Sequence, residues 1–270
     1  MALEGLDGSG KTTQVNMLSG WFSSKNLQFT VAREPGSTKT GEAIRGLVQE
    51  RLDLEIPSET ELLLYLAARS VFVKEAVMPV LERGDVFLTD RFSMSTIAYQ
   101  GYARGLDVEE VVKLNNFASH GLDPDLYLVL DIPVELSLER LADAKKEKDR
   151  LELAGIDFME KVREGYLDIV RKTDNAVLID GTEAPELVHL KIREALVNKI
   201  PVALYGGKGR YCHIESSISN FYIGSLLIII ISALSSFLMA ASLSLCMGFS
   251  KTAVAASQFA LLMSIRHFSR

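Results

Sequence analysis

The chain has 270 residues, of which 48% are apolar and 24% charged, and a net charge of −6. That balance suits one globular domain with a sizeable core plus additional sequence, and it speaks against a general nucleic-acid binder. Both cysteines, Cys212 and Cys246, fall after residue 200, so residues 1–200 hold neither a disulfide framework nor a thiolate metal site.

From the N-terminus, Met1–Glu4 reads as the end of a short first strand and Lys11–Lys25 as a helix. No basic stretch followed by an apolar one precedes them, so the first part is read as cytoplasmic. Between strand and helix, Gly5-Leu6-Asp7-Gly8-Ser9-Gly10-Lys11-Thr12 fits G-x-x-x-x-G-K-[ST]. Glycines there let successive backbone N–H groups turn inward, and the helix N-terminus adds partial positive charge. Gly5 through Thr13 are therefore the predicted ATP cradle, with Lys11 reaching the β and γ oxygens and the Thr12 hydroxyl placed for Mg²⁺. The motif predicts nucleotide binding without saying what receives the phosphate.

Further along, Gln28–Arg33 is a predicted strand, and Gly41–Leu52 and Ser58–Arg83 are predicted helices. Asp85–Thr89 follows as a strand, then helical patterns over Ser93–Gln100 and Val108–His120. Leu126–Asp131 reads as a strand, Val134–Leu141 and Ile156–Thr173 as helices, Ala176–Ile179 as a strand and Glu186–Lys199 as a last helix. Short apolar strands alternating with helices predict an α/β fold, a five-stranded parallel sheet with helices on both faces and ligands at the carboxyl ends of the strands. Asp90 ends an apolar strand and is placed like a Walker-B carboxylate, a candidate for Mg²⁺. Arg69 stands in the apolar stretch Leu62–Ala68, where a guanidinium is costly unless it is satisfied, by a structural salt bridge or by a ligand.

The chain changes character near Pro201. Residues 1–200 carry 34 acidic and 24 basic residues, whereas residues 201–270 are net positive. From Ser216 to Ser250 no charged residue occurs, long enough for a transmembrane helix, and Thr252–Ile265 is apolar but short for a full span. Residues 216–265 read either as a membrane hairpin with both ends cytosolic or as a segment foreign to the preceding domain, from fusion, frameshift or read-through.

Six segments carry a resemblance over residues 1 to about 200: EGLDGSGKTTQ (Glu4–Gln14), REPGSTKTGEAIR (Arg33–Arg45), LLLYLAARS (Leu62–Ser70), DRFSMSTIAYQGYARG (Asp90–Gly105), PDLYLVLD (Pro124–Asp131) and DRLE (Asp149–Glu152). In that order and spacing the chain resembles bacterial thymidylate kinases. The resemblance implies transfer of the ATP γ-phosphoryl group to dTMP, with Arg45 and Arg91 holding the acceptor phosphate and Arg69 lying against base and phosphate. It implies that Tyr65 stacks on thymine, that Thr96 and Gln100 bond the base edge, and that Tyr99 leaves no room for a 2′-hydroxyl. Asp7 would accept a hydrogen bond from the 3′-hydroxyl, and Glu34 is a second acidic candidate near the metal. The family also implies a homodimer.

Residues 141–157 take the place of the family's lid. The resemblance implies a transition-state cation either inside the cradle or in the lid; Asp7-Gly8-Ser9 holds no basic residue, so the resemblance assigns it to the lid, with Arg150 ahead of Lys145, Lys146 and Lys148. Lys11, Arg91, Arg150 and Asp7 are thus the predicted catalytic set. Two other readings stay open: a deoxynucleoside kinase or other monophosphate kinase on the same fold, and a membrane-tethered nucleotide-binding protein without catalysis.

Overall fold

The structure, a computed structural model, describes residues 1–143 and 150–200. The apolar run 216–265 and Lys145, Lys146 and Lys148 lie outside these residues. Among the described residues no helix is long and apolar enough to cross a membrane.

Five strands, β1 (Ala2–Gly5), β2 (Phe29–Arg33), β3 (Val86–Asp90), β4 (Tyr127–Asp131) and β5 (Ala176–Asp180), form one parallel sheet in the order β2-β3-β1-β4-β5. Short as it is, β1 pairs on both sides, Leu3 with Asp90 of β3 and with Leu128 of β4. After β3 the chain crosses β1 to build the other half, so the strand order reverses around β1 and leaves a crevice above its carboxyl end.

Alternate side chains of a strand face opposite sides, and each face has its own core. Leu3, Leu88, Leu128 and Leu130 pack with Val15, Leu18 and Phe22 of α1 (Lys11–Ser24) and with Ile192 and Leu196 of α9 (Pro185–Lys199). On the other face Ala2, Phe87, Tyr127 and Val129 meet Tyr65 and Phe72 of α3 (Ser58–Phe72) and Met159, Val162 and Tyr166 of α8 (Ile156–Arg171). Phe22 and Phe72 are fully buried, each contributing about 1.5–3 kcal/mol of transfer free energy.

Helix α2 (Lys39–Arg45) starts where the Thr38 hydroxyl accepts from Gly41 N at 2.9 Å, satisfying one free N–H of its first turn. It continues as a π turn over Gly46–Glu50, within the helix predicted from the pattern. The long helix expected over Ser58–Arg83 is α3, a π turn at Val73–Val77 and α4 (Met78–Glu82). Pro79 cannot donate to the turn before it, and the widened turn just upstream accommodates that missing N–H. The helix expected over Ser93–Gln100 is a single turn, α5 (Ser93–Thr96), followed by a π segment over Ile97–Ala103. Helix α6 (Val108–Ala118), capped by Asp107 accepting from Glu110 N, and α7 (Val134–Asp143) complete the fold.

Candidate active site

The phosphate-binding turn depends on glycines for two different reasons. Gly5 has φ 129°, and a Cβ there would lie 2.3 Å from the Leu130 carbonyl oxygen, so both conformation and space demand glycine. Gly10 has φ 97° with open space around it, so its need is conformational alone. The turn is fixed from outside by α7, whose Ser137 hydroxyl donates to the Asp7 carbonyl at 2.7 Å.

Lys11 folds back over this turn. Its ammonium donates to the carbonyls of Gly5 (3.1 Å) and Leu6 (2.8 Å) and lies 3.8 Å from the Asp7 carboxylate. Burial, and then repulsion from Arg91, lower its pKa, while Asp7 and Asp90 oppose the shift. A buried ammonium held by neutral carbonyls is ready to exchange them for phosphate oxygens, which favour its charge.

A cavity of 460 Å³ opens above the turn at the carboxyl ends of β1, β2 and β3. The predicted residues Asp7, Gly8, Gly10, Lys11, Thr12, Thr13, Glu34, Arg45, Tyr65, Arg69, Asp90, Arg91, Thr96, Tyr99 and Gln100 all line it. Gly5, Leu6 and Ser9 form the floor of the turn rather than the wall, and both Leu6 and Ser9 are buried. The residues predicted to cradle the donor and those predicted to hold the acceptor therefore line one cavity, with Asp7 and Arg91 between them. Arg91 Nη2 donates to Asp7 at 2.7 Å, and Nη1 donates to the Gly5 carbonyl, the Ser95 hydroxyl and the Tyr166 hydroxyl at 3.0, 3.1 and 3.1 Å. Tyr99 lies under this guanidinium, its ring centroid 5.3 Å from Arg91 Cζ.

On the acceptor side, Arg69 Nε donates to both oxygens of Glu34 at 3.0 and 3.1 Å, and its Nη1 donates to the Thr96 hydroxyl at 2.8 Å and to Asn115. The costly buried arginine is satisfied by a pair and a network together. Burial pushes Glu34 up to about 7 against the pull of Arg69. Arg45 is half-buried and donates to the Pro35 carbonyl at 3.1 Å.

Among the acidic residues, Asp90 Oδ1 is buried and has no hydrogen-bond partner among the described residues, and it shares the cavity with the exposed Thr12. An unpaired hard oxygen beside a phosphate cradle fits Mg²⁺. Glu34 fits less well, because Arg69 already occupies both of its oxygens. The described residues contain no cluster of three or more acidic, histidine or cysteine groups that could hold a metal ion.

Arg150 departs from its expected place. Its guanidinium pairs with the buried Glu61 and donates from Nε to the Val48 carbonyl at 3.0 Å. It therefore docks on α3 beside the acceptor pocket and not on the phosphate turn. Besides Arg91, Arg140 of α7 lies against that turn, donating to the carbonyls of Gly8 (3.1 Å) and Gly181 (3.2 Å).

Sequence reasoning also missed three residues beneath the cavity, Glu4, Tyr166 and Asn115. Glu4 is fully buried and accepts from Phe92 N (2.7 Å), the Ser95 hydroxyl (2.5 Å) and the Tyr166 hydroxyl (3.0 Å). Burial raises its pKa against these bonds. Asn115 backs Arg69 and donates to the Ser93 carbonyl at 3.0 Å.

The thymidylate kinase family model matches residues 3–192. The chain belongs to the thymidylate kinase family. It is 46% identical over 193 residues to a thymidylate kinase of Thermosipho africanus, covering 72% of this chain and 94% of the relative. A thymidylate kinase of Kosmotoga olearia is 38% identical over 193 residues, with 71% and 92% covered. The crystal structure of thymidylate kinase from Ehrlichia chaffeensis superposes with a TM-score of 0.58 at 30% identity, covering 72% of this chain and 96% of that one. The matched region is the parallel-sheet domain described above.

Proposed function

We propose that this thymidylate kinase family member transfers the γ-phosphoryl group of ATP to the phosphate of dTMP, giving dTDP and ADP. The observation that carries the reading is the single chamber in which the Lys11 turn faces Arg45, Arg69 and Arg91, with Asp7 bonded to Arg91 at 2.7 Å. Two polyanions can meet there only if cations stand where charge accumulates, and arginine forks suit phosphate oxygens.

The donor phosphates lie on the turn from Gly5 to Thr13, with Lys11 on the β and γ oxygens. Mg²⁺, when bound, neutralises charge on the donor phosphates, and Thr12 and Asp90 are the residues that would hold it. Arg45 and Arg91 take the acceptor phosphate, Arg69 reaches toward base and phosphate, Tyr65 stacks on the base, and Thr96 and Gln100 bond its edge. Tyr99 packs under the sugar and Asp7 accepts from the 3′-hydroxyl. An acceptor phosphate is already ionised, so no general base is needed, and catalysis comes from in-line positioning and charge stabilisation. A nucleoside acceptor would instead need a base facing a 5′-hydroxyl and would leave the arginine pair without a phosphate.

ADP release by the purified protein tests this with dTMP, other monophosphates and thymidine as acceptors. Strongest stimulation by dTMP is expected; preference for thymidine, or no stimulation by any acceptor, rejects it. Pairing of two copies rests on the family resemblance, and membrane attachment through residues 216–265 rests on their lack of charge. Sedimentation and cell fractionation test these two readings.

A further inference from the structure

Helix α3 brings Glu61, Tyr65 and Arg69 onto one stripe, since a step of four residues drifts by only about 40° around a helix. Tyr65 and Arg69 line the cavity, whereas Glu61 lies behind it, fully buried. Its carboxylate accepts from Gln100 Nε2 at 2.8 Å, from Arg104 Nε and Nη2 at 3.2 and 3.1 Å, and from Arg150 Nη2. We propose that Glu61 sets the hydrogen-bonding polarity of the base pocket and so selects against cytosine.

A carboxylate clasped by two guanidinium groups is an acceptor only, so Gln100 has to turn its NH₂ toward it. The amide orientation is thereby forced, and Oε1 is the end left for the cavity that Gln100 lines. No described residue donates to that oxygen. On the neighbouring wall Arg69 spends Nε and Nη1 on Glu34, Thr96 and Asn115, while Nη2 makes no hydrogen bond to a described residue. The pocket thus offers an acceptor, Gln100 Oε1, beside a donor, Arg69 Nη2.

Thymine and uracil present the matching pair, an N3–H donor beside an O4 acceptor. Cytosine presents the reverse, an N3 acceptor beside an N4 amine, which sets acceptor against acceptor and donor against donor. A site built to satisfy one polarity leaves buried groups unpaired with the other, a penalty that binding alone can make very large. Removing the negative charge at position 61 while keeping its shape would let the Gln100 amide turn over. Arg150 joins the same carboxylate from the chain after α7, as a positioning residue for this lock.

The inference rests on the dTMP kinase reading, and two measurements separate them. In the first, kcat/KM is compared for dTMP, dUMP and dCMP in the wild type, Glu61→Gln and Glu61→Asp. Wild type is expected to favour dUMP over dCMP by about 10³-fold or more. Glu61→Gln is expected to shrink that ratio by about tenfold or more, chiefly through a lower KM for dCMP, while the dTMP to dUMP ratio, which reads the methyl group, stays put. Glu61→Asp keeps an acceptor-only group and should retain the wild-type ratio. A folded Glu61→Gln enzyme with an unchanged dUMP to dCMP ratio overturns the proposal, because a merely structural residue would lower all three acceptors together. The second measurement needs no variant: a scalar coupling across the hydrogen bond from Gln100 Nε2 to the Glu61 carboxylate carbon, by NMR of the wild-type protein. Its presence supports the orientation and its absence overturns it. Failure of wild type to use dTMP would sink the kinase reading, while the coupling would still decide the orientation.

Discussion

Arg91 adopts φ 71°, a left-handed conformation that a non-glycine residue holds only when its surroundings enforce it, at a cost of about 1–3 kcal/mol. Its backbone N–H donates to the Leu3 carbonyl at 2.8 Å, and its guanidinium has partners on β1, α5, α8 and the phosphate turn. That many anchors imply a fixed cation beside the phosphate turn, where donor and acceptor are proposed to meet. Arg91→Lys cannot reproduce the fork and is expected to cut kcat by about 10²–10³-fold in steady-state assays at saturating ATP and dTMP. Asp90→Asn removes the charge that suits Mg²⁺, and a Mg²⁺ titration of activity should shift to higher concentration. For Arg150, pairing with Glu61 predicts a higher KM for dTMP on Arg150→Ala with kcat within a few-fold. A large fall in single-turnover rate at unchanged KM would return it to the transition state. Arg69 was legible because a charge in an apolar run demands an explanation, whereas Arg91 was legible only through the family resemblance. Glu4, Glu61 and Tyr166 were not: their partners stand 91, 39 and 75 residues away, beyond any local pattern. The spacing of Glu61 from Tyr65 was the one available hint.

At the scale of elements, strands were legible through short apolar runs punctuated by helical periodicity, and the five-stranded parallel sheet follows that pattern. The π segments were not, because one extra residue per turn leaves the 3.6-residue apolar pattern almost unchanged over so short a run. Their consequence is local: the segment Ile97–Ala103 carries Tyr99 and Gln100 toward the cavity and packs closely on α8. Gly165 makes that approach possible, since a Cβ there would come within 2.9 Å of the Tyr102 ring. In an open helix Gly165→Ala would stabilise by about 1 kcal/mol. Here it must push α8 away, and thermal unfolding should show destabilisation of about 1–3 kcal/mol. The accompanying rise in KM for dTMP would report displaced Tyr99 and Gln100.

For the whole molecule, two buried acids, Glu34 in the cavity wall and Glu4 beneath it, give stability a definite dependence on pH. Glu34 titrates at about 7 in the folded chain against an ordinary 4.5, raised by burial and partly opposed by Arg69, and burial raises Glu4 in the same direction. A raised acid means that the folded state binds more protons than the unfolded state between the two values. Its contribution is therefore fully present below pH 4.5 and is lost as pH climbs through 7. For Glu34 that amounts to at most about 3 kcal/mol. Glu34→Gln cannot ionise, so although it weakens the hold on Arg69 at every pH, the decline in melting temperature between pH 5 and 7.5 should be shallower than in the wild type. Equal slopes for the two proteins would mean that Glu34 stays ionised beside Arg69 across the whole range, making the pair a permanent ion pair rather than a proton-linked one.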